Sequence, residues 1–299
     1  MSTDFFKDNG VFLPMLNDTG RNRFYQQSLA EQAPGKVVCD IGAGSGFLSV
    51  LAVQAGAKHV IAIEKNQERY NYLNQILEQT EYRSKIQTVH ADFIDTDIDA
   101  DVYVSETLNT QIFGEELLTL SNHVVGRGQF IPGSIKIWSE VYQDHPIFIL
   151  DLSFTEAYEF DPQIDVDKNF VDQINQSFSK QYDFSDTVFK ANQLNKLFTL
   201  LPNFQDVKLQ KLYTGTPTVI NLNQYNDQNS IELTIPNAID LPDHALVVLK
   251  WEIMCGNAIL SSDQCWFGNV AKPIRNKFKT KPTIRFYYDP RIANWRLDY

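Results

Sequence analysis

Glu106 and Glu115 bracket the stretch Glu106-Thr-Leu-Asn-Thr-Gln-Ile-Phe-Gly-Glu115. The preceding run Asp101 to Ser105 (D-V-Y-V-S) reads as a strand that delivers Glu106 to the ligand-facing edge of a sheet. Two carboxylates held close raise each other's pKa unless a cation lies between them. A planar guanidinium meets that need, because its five donors can satisfy both acids.

A second cluster lies upstream. Val37 to Gly46 (V-V-C-D-I-G-A-G-S-G) combines a short apolar run, suited to a strand buried on both faces, with a Gly-rich turn into a helix. Phe47 to Ala55 has helical spacing, and a second apolar strand, His59 to Ile63, ends in Glu64. That is where α/β nucleotide sites put the acid that accepts both ribose hydroxyls. A dinucleotide fingerprint needs a glycine three places after Gly44, and Phe47 stands there. No Lys-Ser/Thr pair follows, which removes a P-loop. The remaining pattern, D-x-G-x-G-x-G with an acid ending the next strand, resembles motif I of the class I S-adenosylmethionine (SAM) methyltransferases. The resemblance implies SAM as cofactor, held by Asp40, Gly42, Gly44 and Glu64, with S-adenosyl-L-homocysteine as product.

The surrounding elements must position these groups. Asn17 to Leu29 reads as a helix capped by Asn17 or Asp18, with Gly20 weakening it. Arg21 and Arg23 stand before the first strand, either as fork donors to a bound carboxylate or as a solvated face. Gln67 to Gln79 places Tyr70, Leu73, Ile76 and Leu77 on one stripe. Ile86 to His90 reads as a third strand with Asp92 at its end, a candidate acceptor for an adenine amino group or a capping carboxylate. Ile135–Tyr142, Phe148–Phe154, Val207–Tyr213, Ser230–Ile235, Ala245–Met254 and Ile284–Tyr288 read as strands.

Length and charge bound the function. A chain of 299 residues can bury a large core in one or two domains. A net charge of -11 with sparse Lys and Arg argues against a nonspecific nucleic-acid binder and favours a cationic or neutral substrate, though acidity also serves solubility. Cys39, Cys255 and Cys265 show neither CxxC spacing nor neighbouring histidines, so no disulfide framework or metal site is expected. Without a basic-then-apolar leader or a run of about 18 apolar residues, the expectation is a cytoplasmic, soluble protein that binds no membrane.

With these residues assembled, the sequence resembles the protein arginine methyltransferases. The family's S-E-(eight residues)-E loop matches Ser105-Glu106 to Glu115, and its M-L-x-D-x-x-R matches Met15-Leu16-Asn17-Asp18-Thr19-Gly20-Arg21. The Gly-rich turn, Glu64 and Phe130-Ile131-Pro132 also correspond, so the match is clear over residues 12–140 and weaker beyond. The resemblance implies that Arg21 binds the methionine carboxylate, that Met15 lies against the reactive methyl region, and that Glu106 and Glu115 grip the substrate and catalyse. It also implies the organisation: a cofactor-covering segment 1–32, a Rossmann-like SAM domain 33–131, and a β-barrel-like substrate domain 132–299. Residues 156–203 form a candidate helical arm for a head-to-tail homodimer, with a lid or plain insertion as the alternative. One departure stands out. Where most of the family has Thr-His-Trp, this chain has Gln264-Cys265-Trp266, keeping a substrate-side Trp266 but leaving Asp18 without its histidine partner. The leading expectation is arginine N-methyl transfer on a protein or peptide. The alternatives are methylation of a cationic small molecule, or a catalytically weak SAM-binding regulator.

Overall fold

Val37–Ile41 forms β1 at the centre of a sheet, and all but its first residue are buried. The computed structural model describes residues 18–78, 80–108, 112–113, 115–143, 210–227, 231–236, 245–264, 271–274, 283–290 and 294–298. Met15, Phe148–Phe154, the candidate arm 156–203, Cys265 and Trp266 lie outside the described residues.

Helix α1 (Thr19–Gln32) precedes β1; helix α2 (Phe47–Gln54), β2 (His59–Glu64), helix α3 (Gln67–Leu77), β3 (Ile86–His90), β4 (Val102–Ser105), helix α4 (Leu117–Val124) and β5 (Gln129–Ile131) follow it. The sheet order is β3-β2-β1-β4-β5 and every pairing is parallel. From β1 the chain winds outward to β3, then returns to lay β4 on the other side of β1. The order therefore reverses between β1 and β4, and a crevice is expected beyond their carboxyl ends. The loops issuing there are the Gly-rich turn and the glutamate loop.

Local sequence explains the turn. Gly46 caps α2 at φ +79, and a Cβ there would lie 2.7 Å from Leu73 Cδ1. A glycine is thus required at 46 both by the backbone and by the packing of α3. Of the expected α3 stripe, Leu73 and Leu77 are buried, whereas Tyr70 and Ile76 are only partly covered. Asp18 supplies the cap of α1, accepting from the Arg21 amide at 2.9 Å. Gly20 survives in the first turn of that helix because a Cβ would stand 3.0 Å from the Gln264 carbonyl oxygen. Phe24, Tyr25 and Leu29 of α1 are buried, and the helix packs on α2 and on the later sheet domain.

Beyond Pro132 the described strands are antiparallel: β6 (Ser134–Gln143), β7 (Lys211–Thr214), β8 (Thr218–Asn221), β9 (Glu232–Pro236), β10 (Ala245–Cys255), β11 (Ala258–Ser261), β12 (Ala271–Ile274), β13 (Thr283–Asp289) and β14 (Asn294–Asp298). They form a sheet ordered β11-β10-β6-β7, with β8 also on β6 and β12 on β10, and a smaller sheet ordered β14-β13-β9. The β6–β10 register sets Ile135 against Ile253, Ile137 against Trp251 and Val141 against Val247, all fully buried. Each such side chain contributes about 1.5–3 kcal/mol of transfer free energy. Where a β-barrel-like domain was expected, the pairings among the described residues make two sheets and close no barrel. β8, β11, β12 and β14 were not legible in the sequence. They are four or five residues long. Among the described residues no helix is long and apolar enough to cross a membrane.

Candidate active site at the sheet switch point

Glu64 ends β2 and is buried, with one carboxylate oxygen accepting from the Gly44 amide at 3.0 Å and the other from the Asn66 amide at 2.8 Å. Each oxygen retains a second acceptor position. The acid is thus fixed by main-chain donors yet able to receive two hydroxyls, as a vicinal diol would supply.

Gly42 stands at φ +74, and the space beside its Cα that a Cβ would occupy is bordered by Thr107 Cγ2 at 3.6 Å. Its amide donates to Ile63 O at 2.9 Å, which ties the turn to β2. Asp40 serves this loop from behind. It is buried, accepts from Ser49 Oγ at 2.6 Å, and joins β1 to α2. Burial pushes its carboxyl up to about 6, the Ser49 bonds oppose this, and the charge of Glu64 adds to it. The structure therefore places Asp40 as a support of the turn. Asp92 takes the capping arrangement that the sequence left open, accepting from the Ile94 amide at 3.4 Å, and it also pairs with Lys65 at 3.6 Å.

Across the crevice, Ser105 Oγ donates to Ile41 O at 3.1 Å and so fastens β4 to β1 just before Glu106. Glu106 is ion-paired with Arg21 at 3.0 Å, with about 5% of either side chain exposed. Arg21 Nη1 donates to Asn22 Oδ1 at 2.9 Å, and its guanidinium lies 5.6 Å from the Tyr25 ring and 6.0 Å from the Phe47 ring. Burial alone would lower its pKa; the Glu106 carboxylate more than reverses this and holds the guanidinium charged. Arg21 Nε is buried without a hydrogen-bond partner. A buried cationic N–H of this kind is costly unless an acceptor reaches it, so the pocket fits a ligand bearing a carboxylate. Burial also pushes Glu106 up, Arg21 opposes this, and Asp18 adds to it.

Glu115 is exposed. Partial withdrawal from water pushes its carboxyl up to about 7, the charge of Glu106 adds to this, and Arg69 opposes it. The loop thus carries one acid locked to a resident cation and one acid ready to change charge near neutrality. Beside it, Lys65 Nζ reaches Glu116 at 3.2 Å as well as Asp92, bridging the glutamate loop to the end of β3. Lys65 follows Glu64 directly, so its place at the crevice was readable from the sequence, although its two partners were not.

A Rossmann-like domain with its site at the switch point, followed by antiparallel sheets, defines the class of protein. A family model described as ribosomal protein L11 methyltransferase (PrmA) matches residues 24–135. A probable histone-arginine methyltransferase 1.3 of Arabidopsis thaliana is 32% identical over 137 residues, covering 44% of this chain and 25% of that protein. The histone-arginine methyltransferase CARMER of Drosophila mojavensis is 34% identical over 114 residues, 36% of this chain and 21% of that protein. The chain spans about a quarter of the length of the curated relatives it matches. Among solved structures, PRMT6 with SAH aligns with a TM-score of 0.60 at 14% identity, over 97% of this chain and 98% of that one. The Trypanosoma brucei PRMT1 enzyme-prozyme heterotetrameric complex with AdoHcy aligns at 0.62 and 16% identity, over 97% and 93%. Across its parallel-sheet domain the chain is similar in sequence to proteins named histone-arginine methyltransferase, and over nearly its whole length it shares the fold of PRMT6 and of the PRMT1 complex.

Proposed function

We propose that this chain is a SAM-dependent N-methyltransferase whose acceptor is an arginine guanidinium in a protein or peptide. The observation that carries the reading is the pairing of Glu106, clamped by buried Arg21, with Glu115 on one loop at the switch point. Relatives named histone-arginine methyltransferase support it. Glu64 would hold the ribose hydroxyls and Arg21 Nε the amino-acid carboxylate, with Gly42 leaving room for the close approach of the ligand. The bound group would supply a methyl on a positively charged sulfur, activated toward a nitrogen nucleophile.

The chain's own residues then have three tasks. Glu106, held rigid by Arg21, fixes one side of the incoming guanidinium. Glu115 in its ionised form accepts from the other side. Together they draw positive charge toward two nitrogens and leave the third as the attacking atom, aligned rather than chemically altered. Their fixed charges would also stabilise the methylated guanidinium as its C–N bond forms and the C–S bond of the donor breaks to a neutral thioether, the surplus proton leaving that nitrogen after transfer. Assembly with a second chain belongs to the same reading: one structural neighbour is a heterotetrameric enzyme-prozyme complex, which supports oligomerisation, and a homodimer is the form proposed for this chain.

The test is transfer of labelled methyl from SAM to arginine-rich peptides. Wild-type chain is expected to label arginine, whereas Glu115→Gln abolishes labelling while SAM still binds. Unchanged turnover in that variant removes the clamp from the account.

A further inference from the structure

Two residues flanking Glu115 take an uncommon backbone conformation: Ile112, between the two glutamates, stands at φ +61 and Glu116, at the start of α4, at φ +66, both in the left-handed region that non-glycine residues avoid. Such a shape persists only where surrounding structure imposes it. Two tyrosine hydroxyls tie down the main chain near the two glutamates. Tyr25 of α1 donates to Ser105 O at 3.0 Å, immediately before Glu106, and Tyr288 of β13 donates to Phe113 O at 3.0 Å, two residues before Glu115. The Phe113 ring is caught by the same C-terminal hairpin, 5.3 Å from the Tyr288 ring and 6.3 Å from that of Trp295, which faces Tyr288 across the β13–β14 pair. All three rings are buried.

We propose that Tyr288 is a positioning residue: its hydroxyl, donating to Phe113 O, sets the place of Glu115 and hence the geometry of the acceptor site. The inference rests on the reading of Glu115 as an acceptor-binding acid. Packing alone would be served by phenylalanine, which presents the same ring to Phe113 and Trp295. The hydroxyl adds a directional bond to a main-chain oxygen of the catalytic loop, from a residue 175 positions away in the chain. Burial and the neighbouring Asp289 push Tyr288 up to about 12, so it remains a protonated donor throughout the working range.

The experiment is Tyr288→Phe in the full chain, with SAM affinity by calorimetry and initial methylation rates over a range of arginine-rich peptide concentrations. The expected result is a kcat for the peptide about tenfold lower, with SAM Kd within about twofold of wild type, because only the alignment at Glu115 is loosened. Equal kcat in variant and wild type overturns the proposal and leaves the arginine reading intact. Parallel losses in SAM affinity and kcat show a role in the fold alone and also overturn it. A wild-type chain that transfers no methyl to arginine sinks the arginine reading, and this proposal with it.

Discussion

The two sides of the crevice are built differently. The ribose side is assembled from neighbours: Glu64 is held by Gly44 and Asn66, and Asp40 by Ser49, with 2 to 20 positions between partners. The acceptor side is assembled from distant segments: Ser105 is gripped by Tyr25, 80 positions away, and Phe113 by Tyr288, 175 away. A locally built site tolerates changes elsewhere in the chain, since its hydrogen bonds form within one βαβ unit. The long-range site instead depends on how the C-terminal sheets dock. Substrate choice can thus change with the second domain while the cofactor side stays constant.

The largest expected effect separates the two glutamates from each other. Glu106→Gln should lower turnover by about 10³-fold or more and also destabilise the fold by roughly 3–5 kcal/mol, because it leaves the buried Arg21 charge without its partner. Glu115→Gln should match the first loss without the second, since Glu115 is exposed. Denaturant unfolding beside rate assays distinguishes them, and equal stability in both variants would break the distinction between a locked and a free acid.

On the ribose side, Glu64→Ala should weaken SAM binding on the order of 10²-fold, as two charge-assisted hydrogen bonds are removed. The glutamate loop should be undisturbed, because no bond joins the two acids. Calorimetry for SAM, with peptide KM measured at saturating SAM, sharpens this. A peptide KM that rises in step with the loss of SAM affinity would show the sides to be coupled.

Acidity gives a third measure. With its carboxyl at about 7, Glu115 is neutral below that pH and charged above it, so kcat/KM for the peptide should fall as pH drops through 7. The kcat limb should lie lower, because a bound cation favours the ionised acid. Arg69→Met removes a cation that holds Glu115 down, so the kcat/KM limb should move to higher pH. A limb that stays put excludes Arg69 from the acceptor side.

The remaining effect, on stability alone, belongs to Asp40. Its carboxyl is pushed from 3.8 to about 6 in the fold, so the folded state holds a proton that the unfolded chain has lost. Stability from this group is complete below the unfolded value and is lost as pH rises through about 6. Asp40→Asn should therefore be neutral near pH 3 and stabilising by up to about 3 kcal/mol above pH 7, followed by thermal unfolding across pH. A gain independent of pH would place its origin elsewhere.

How much was legible depended on the range of the interactions. The Gly-rich turn, the first four parallel strands and Glu64 were readable because glycine spacing and continuous apolar runs record local backbone demands. Asp92 showed its position but not its role, since a carboxylate after a strand suits a cap and a ligand equally. Gly20 looked like a weak point in a helix; only its closeness to the Gln264 carbonyl explains it. The sequence left the cap of α1 open between Asn17 and Asp18, and Asp18 supplies it, accepting from the Arg21 amide.

The sequence by itself determined the first four strands of the parallel sheet, the acid that ends β2 and the spacing of the two glutamates, because each follows from side chains a few residues apart. Only the tertiary structure decided that Arg21 is locked to Glu106, that Glu115 faces solvent, and that Tyr288 reaches back to the loop. Those outcomes depend on which distant surfaces meet as the sheets dock and exclude water, and no periodicity along the chain records that meeting.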